Sequence, residues 1–192
     1  ICFILLLSIS AAEDWQMFRH DLEHSGRTSD VIENPGNLEL KWKFETGSAI
    51  YSSPAVFGDY LYIGSYDGFV YCINKNTGEL KWKFKTGMVV SSSPAIAGNY
   101  IFVCSEDSFI YCLNKQTGEL KWKFETGMAI SSSPAVFEDY LYVSSHDGLV
   151  YCLNKDRGEA IRKFETMGTS SSTAISGNHI YIQVVPIFFP RM

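Results

Sequence analysis

His20 and His24 stand four residues apart in the stretch RHDLEH. On a helix that spacing would bring both imidazoles to one face, as a two-histidine metal site requires. A zinc hydrolase would add a glutamate directly after the first histidine and a third ligand nearby, and this segment supplies neither. The pair therefore reads as part of a polar lead-in segment. Asp67, Asp107 and Asp147 are the next candidates for acid–base work. They recur at one interval, each before a turn residue, which points to hairpin geometry; a catalytic carboxylate is normally singular. Serines run in triplets at Ser91–Ser93, Ser131–Ser133 and Ser170–Ser172. None lies in a G-x-S-x-G elbow, so the runs are expected to pack an innermost strand or to line a channel with hydroxyls. No glycine loop suited to cradling phosphate is present. His146 stands where Tyr66 and Glu106 stand in earlier copies of the same turn, an exposed loop tip, and His179 takes the strand place of Tyr60, Tyr100 and Tyr140. The expectation is no catalytic residue, no metal ligand set, no cofactor and no enzymatic activity.

Cys72, Cys112 and Cys152 occupy one equivalent position in three copies, and Cys104 lies apart from them. Equivalent places on successive repeats lie beyond the Cα–Cα reach of a disulfide, which is mostly under about 7 Å. These cysteines are expected to be small buried packing residues. No CxxC or Cys/His spacing supports a metal site.

The elements that hold these residues follow from an internal repeat. LKWKFETG at Leu40 returns as LKWKFKTG at Leu80, LKWKFETG at Leu120 and an eroded AIRKFETMG at Ala160. YSSPAVFGDYLYIGS at Tyr51 returns at Ser91 and Ser131, with a shorter echo at Ser170. A period of forty suits either helical arrays or propeller blades, and the local pattern decides between them. The first full unit holds four short apolar runs separated by Gly-Asp, Asp-Gly and Thr-Gly turn signals, and no stretch of ten shows helical spacing free of Gly or Pro. Four antiparallel strands per unit make a propeller blade. YLYIGSY and FVYCIN are apolar at nearly every position, as middle strands covered on both faces must be. KWKFKT alternates, as a rim strand with one wet face does, and its lysines discourage edge pairing. The prolines Pro54, Pro94 and Pro134 point to the innermost strand, which has a free edge.

The chain has 192 residues, 46% hydrophobic and 15% aromatic, ample for a core. Its formal net charge of -5 and lack of a basic run exclude nucleic acid as an expected partner. The opening ICFILLLSISAA is too short to span a bilayer, which takes about 20 residues. It resembles the apolar region of a secretory signal peptide, with Ser10-Ala11-Ala12 as the small residues before cleavage. The charged start of such a leader is missing, so the chain is expected to begin inside one; the alternative is a buried N-terminal strand. The expected location is exported, either periplasmic or at the cell surface, and not integral to a membrane.

CINKNTGELKW (Cys72 to Trp82) and CLNKQTGELKW (Cys112 to Trp122) resemble the tryptophan-docking motif A-x-D-x-x-T-G-x-x-x-W of the pyrroloquinoline-quinone-like (PQQ-like) repeat propellers, with Cys for Ala and Asn for Asp. The resemblance covers about four-fifths of the chain and is to the non-catalytic, BamB-like branch. It implies that Trp82 and Trp122 dock between neighbouring blades, that Thr77-Gly78 and Thr117-Gly118 make the tight turn, and that Asn74 and Asn114 close an Asx turn onto the following backbone. In the third copy Arg157 replaces Thr and Arg162 replaces Trp, so a looser contact is expected there.

The resulting division is a leader remnant at 1–12, a lead-in at 13–37, a lone outer strand at 38–47, blades at 48–87, 88–127 and 128–167, and a partial fourth blade with a divergent tail at 168–192. The fold class is all-β, an incomplete propeller arc of three to four blades. The family usually closes with about seven or eight blades, so the chain is expected to be a fragment. The competing reading is a short protein in which the N-terminal strand completes the last blade, or in which two chains pair through exposed blade faces. The implied function is a protein-interaction or envelope-assembly scaffold with unidentified protein partners. Alternatives are a fragment of a quinone- and Ca²⁺-dependent dehydrogenase, or a propeller that binds a small ligand such as a sugar.

Overall fold

The computed structural model describes residues 2–7, 14, 16–18, 21, 39–166, 171–176 and 179–183. His20, His24, the Ser10-Ala11-Ala12 box, most of the lead-in and the divergent tail lie outside them. Sixteen strands follow in order: β1 (Cys2–Leu7), β2 (Leu40–Thr46), β3 (Ala55–Phe57), β4 (Tyr60–Gly64), β5 (Phe69–Asn74), β6 (Leu80–Lys85), β7 (Ala95–Ala97), β8 (Tyr100–Cys104), β9 (Phe109–Asn114), β10 (Leu120–Glu125), β11 (Ala135–Phe137), β12 (Tyr140–Ser144), β13 (Leu149–Asn154), β14 (Ala160–Glu165), β15 (Ala174–Ser176) and β16 (His179–Tyr181). They form three four-stranded antiparallel sheets, β3-β4-β5-β6, β7-β8-β9-β10 and β11-β12-β13-β14, flanked by the pairs β1-β2 and β15-β16.

Each sheet is a blade, and the registers repeat. Tyr62 faces Cys72, which faces Trp82; Phe102, Cys112 and Trp122 form the same row one blade on. A bulge follows this row in every blade, at Cys72/Ile73, Leu120/Trp122 and Cys152/Leu153. It bends the outer strand near its start. The short innermost strands β3, β7, β11 and β15 lie side by side, each starting two residues after the third position of its serine motif. Pro54, Pro94 and Pro134 directly precede these strands, where a missing N–H costs the ladder nothing.

Stacking the blades builds the core. One cluster joins the first blade to the second through Tyr62, Trp82, Ile101, Val103 and Leu113. A second joins the second blade to the third through Phe102, Ile110, Leu141, Val143 and Leu153, and Met17 packs against it. On the first blade's other side, Trp42 and Phe44 of β2 cover Leu61, Ile63 and Ile73. Among the described residues of the lead-in, Gln16 O accepts from Ile96 N on β7 and Asp14 Oδ1 accepts from Gly58 N.

One feature departs from the sequence reading, and a second goes with the loss of tryptophan in the third copy. The strand expected to stand alone, β2, pairs with β1 in the register that β5 keeps with β6: Phe3 meets Glu45 as Phe69 meets Lys85, with the same bulge. The last outer strand, β14, does not alternate. All six of its residues are exposed: Arg162 stands where Trp82 and Trp122 stand, and among the described residues only β15 and β16 follow it.

Candidate functional site

The blade seams are built from backbone as much as from side chains. Trp82 Nε1 donates to the Lys115 carbonyl across the seam at 3.1 Å, and the Tyr62 hydroxyl donates to the same oxygen at 3.1 Å. Trp42 meets Lys75 O at 2.9 Å and Trp122 meets Lys155 O at 3.1 Å in the same way. The indole lies flat on the turn glycine of the next blade. A β-carbon at Gly78, Gly118 or Gly158 would come within 2.8, 2.7 or 2.5 Å of the ring, and all three glycines have positive φ. Asn74 Oδ1 accepts from Asn76 N and Thr77 N, and Asn114 Oδ1 does so from Gln116 N and Thr117 N, both Asx turns. Thr77 and Thr117 are exposed and bond only within their own turn, to Glu79 and Glu119.

This explains a correction. The third copy was expected to make a looser contact because Arg157 replaces threonine and Arg162 replaces tryptophan; on the Arg157 side Trp122 lies as close to Gly158 as Trp82 does to Gly118, while on the Arg162 side every residue of β14 is exposed. The contact uses a carbonyl, a glycine and an Asx turn, and Asn154 still closes that turn onto Arg157 N at 3.0 Å. The cysteines Cys72, Cys104, Cys112 and Cys152 are free and buried. Burial pushes the Cys72 and Cys112 thiols up to about 12, so neither is poised as a nucleophile.

Each recurring aspartate ties three segments together. Asp67 Oδ1 accepts from Phe69 N at 3.0 Å, while Oδ2 accepts from Gly47 N at 2.8 Å and from the Tyr71 hydroxyl at 2.6 Å. Asp107 repeats this with Phe109, Gly87 and Tyr111, and Asp147 with Leu149, Gly127 and Tyr151. Burial would raise the carboxyls of Asp67 and Asp147. The tyrosine hydroxyl, two amides and a serine outweigh it and hold both below the ordinary carboxylate value. The phenols respond oppositely: burial, then the adjacent carboxylate, pushes Tyr71 and Tyr111 up, and Tyr151 to about 12.

The serine runs divide into three tasks. Ser52, Ser92 and Ser132 each donate to a carbonyl on the second strand of their own blade. Ser93, Ser133 and Ser172 accept from the amides of Ser53, Ser93 and Ser133, one hydrogen bond of 2.8–3.0 Å per step from blade to blade. The first position varies and meets the residue that varies in the following hairpin. The rings of Tyr51 and Tyr66 lie 4.6 Å apart, Ser91 Oγ donates to Glu106 Oε1 at 3.3 Å, and Ser131 Oγ meets His146 Nε2 at 2.6 Å. Spacing alone flagged the serines and aspartates, but it did not reveal the seryl ladder, the Asp–Tyr–Gly knot or the pairing of the two variable positions. The signals available were the Tyr four residues after each Asp and the Gly twenty before it. Among the described residues no three His, Cys, Asp or Glu side chains are grouped to hold a metal ion, and no helix is long and apolar enough to cross a membrane.

Four-stranded antiparallel blades stacked through docked tryptophans define a β-propeller of PQQ-like repeats. The sequence matches the family described as "Outer membrane protein assembly factor BamB" over residues 34–159 and 106–185, and the chain belongs to that family. No curated protein sequence matches it significantly. Among solved structures it is similar to BamB from Moraxella catarrhalis, with a TM-score of 0.68 and 15% identity over 76% of this chain and 47% of that one. It is similar to a europium-containing methanol dehydrogenase, with a TM-score of 0.69 and 22% identity over 81% of this chain and 32% of that one. It also resembles the computationally designed Ika4 protein, with a TM-score of 0.64 and 16% identity over 73% of this chain and 88% of that one. At these identities the likeness shows the fold. The chain spans about half of the Moraxella BamB and about a third of the dehydrogenase.

Proposed function

We propose that this chain is an exported, non-catalytic propeller segment that serves as a scaffold for protein interaction or envelope assembly. The observation that carries the reading is the distribution of difference among the blades. The docking tryptophan, the Asp–Tyr–Gly knot and the serine ladder recur, whereas the loop tip changes from Tyr66 to Glu106 to His146. A repeated frame with changing loop tips suits recognition, because recognition needs a rigid support and a varied surface. Catalysis needs a singular group, and each acid in the frame is already committed to a structural bond. A leader role for residues 1–12 competes with the place of Cys2–Leu7 as a strand beside β2 and is tested separately.

The test is affinity capture of envelope proteins on the immobilised chain, with quantified binding of the recovered partner to purified protein. A partner bound in a saturable one-to-one manner is the expected result. Dye-linked dehydrogenase activity on addition of pyrroloquinoline quinone and Ca²⁺ would replace the scaffold reading with the quinoprotein one. N-terminal sequencing of protein recovered from the cell envelope should begin after Ala12; a mature chain that retains Cys2–Leu7 would remove the leader assignment.

A further inference from the structure

The variable tips sit at one end of the arc and are held there identically. Tyr66 N donates to Ala49 O at 2.9 Å, Glu106 N to Val89 O at 3.1 Å, and His146 N to Ala129 O at 3.0 Å. Their partners Tyr51, Ser91 and Ser131 lie two residues before the seryl ladder that joins one inner strand to the next. The three pairs therefore follow one another along the arc. Tyr51 is 70% exposed and Tyr66 37% exposed. The next two blades fold with serine where Tyr51 stands, so packing does not require an aromatic ring there.

The charge at this end is one-sided. Residues 47–54, 64–68, 87–94, 104–108, 127–134 and 144–148, which carry these loops, hold no Lys or Arg but include Asp67, Glu106, Asp107 and Asp147. Lys85 reaches it only at the outer strand of the first blade, where its Nζ donates to Asp67 O, and the same place holds Glu125 and Glu165 in the next two blades. The turns at the opposite end carry Lys75, Lys115 and Lys155. An exposed tyrosine pair one blade before Glu106, on described loops that carry no Lys or Arg of their own, favours a guanidinium, which can stack on the ring while donating to the acid.

We propose that the arc Tyr51–Tyr66, Ser91–Glu106 and Ser131–His146 is a docking surface for an extended, arginine-bearing segment of a protein partner. One guanidinium lies over the tyrosine pair and against Glu106, and neighbouring residues of the segment run on toward Ser131 and His146. This rests on the scaffold reading above and names the surface it would use.

The test is fluorescence anisotropy with the 192-residue chain and a labelled peptide that alternates arginine with serine, beside the same peptide with citrulline for arginine. The arginine peptide should bind and the citrulline peptide should not. Tyr51→Ala, which leaves the charge unchanged, and Glu106→Gln should each weaken binding about three- to tenfold. Glu79→Gln, at the opposite loop end, should leave it within about twofold. Circular dichroism identical to the parent confirms that the variants fold. No binding of the arginine peptide, unchanged binding by Y51A and E106Q, or an equal loss in E79Q would overturn the proposal, the last by showing general attraction to an acidic chain. If envelope partners bind the parent and Y51A equally, the surface is wrong and the scaffold reading stands. If the peptide depends on Tyr51 but no envelope partner is found, the surface stands and the scaffold reading fails.

Discussion

Trp82 and Thr77 are equally prominent in the repeated motif, but the structure gives them unequal weight. Trp82 is nearly buried, bonds across the seam and lies on Gly118, whereas Thr77 is exposed and bonds only within its turn. Trp82→Ala should lower stability by about 3–5 kcal/mol, the usual cost of emptying a large aromatic site. Thr77→Ala should cost no more than about 1 kcal/mol. Urea denaturation of both variants checks the ratio, and equal losses would show that the threonine matters beyond its turn. The Asp–Tyr pairs predict pH dependence at both extremes. Asp67 and Asp147 are held below their ordinary value, so their contribution is present above about pH 4 and is lost as the pH falls through the folded value. Tyr151 is raised to about 12, so its contribution is complete below about pH 10 and is lost as the pH rises through about 12. Solvent screens these partly exposed groups, so the effects should be modest. The variant D67N should flatten the acid limb of stability against pH while leaving the alkaline fall at Tyr151 in place.

At the scale of the element, the hairpins were legible in the sequence and the strength of each was not. Asp67-Gly68 and Asp147-Gly148 announce tight turns, and glycine takes the left-handed residue with φ of 77° and 82°. The middle blade places Ser108 there with φ of 73°, and Glu138 takes φ of 52° where Gly58 and Gly98 stand in the other blades. A side chain in this region costs about 1 kcal/mol or more. Ser108→Gly and Glu138→Gly should therefore each stabilise the protein by about 0.5–1 kcal/mol, net of the freedom glycine gains when unfolded. A rise in the urea midpoint at unchanged slope would check this, and a fall for S108G would show that the serine hydroxyl supports the turn. Strand identity was readable because burial on two faces leaves apolar runs in β4 and β5, while one wet face leaves alternation in β6. The pairing of β1 with β2 was not readable. A run of leucine and isoleucine satisfies a third-strand place and a leader equally well, since both ask only for apolar side chains.

The whole molecule is a stack in which each blade contacts its neighbours through one seam on either side, so its stability should be graded along the chain. The period of forty and the tryptophan spacing make this stack legible in the sequence, because the blades solve one packing problem with nearly the same residues. The loop-end pairs were invisible as pairs: Tyr51 and Tyr66 lie fifteen residues apart, and only the antiparallel register of β3 and β4 brings them together. The cysteines provide a probe of the gradient, with one at the same row of each blade. Cys72 and Cys112 are fully buried beneath the next blade, whereas Cys152 is 6% exposed, between Tyr142 and Arg162 on the face that, among the described residues, only β15 and β16 follow. Burial raises all three thiols, so reaction with an alkylating reagent near neutral pH requires local opening and not mere ionisation. Mass mapping after a short iodoacetamide pulse in increasing urea should show Cys152 labelled first. Cys72 and Cys112 should follow together, with Cys104, fully buried in the middle blade, no earlier than either. Simultaneous labelling of all four would mean that the blades open as one cooperative unit, and labelling of Cys112 before Cys152 would contradict the graded stack.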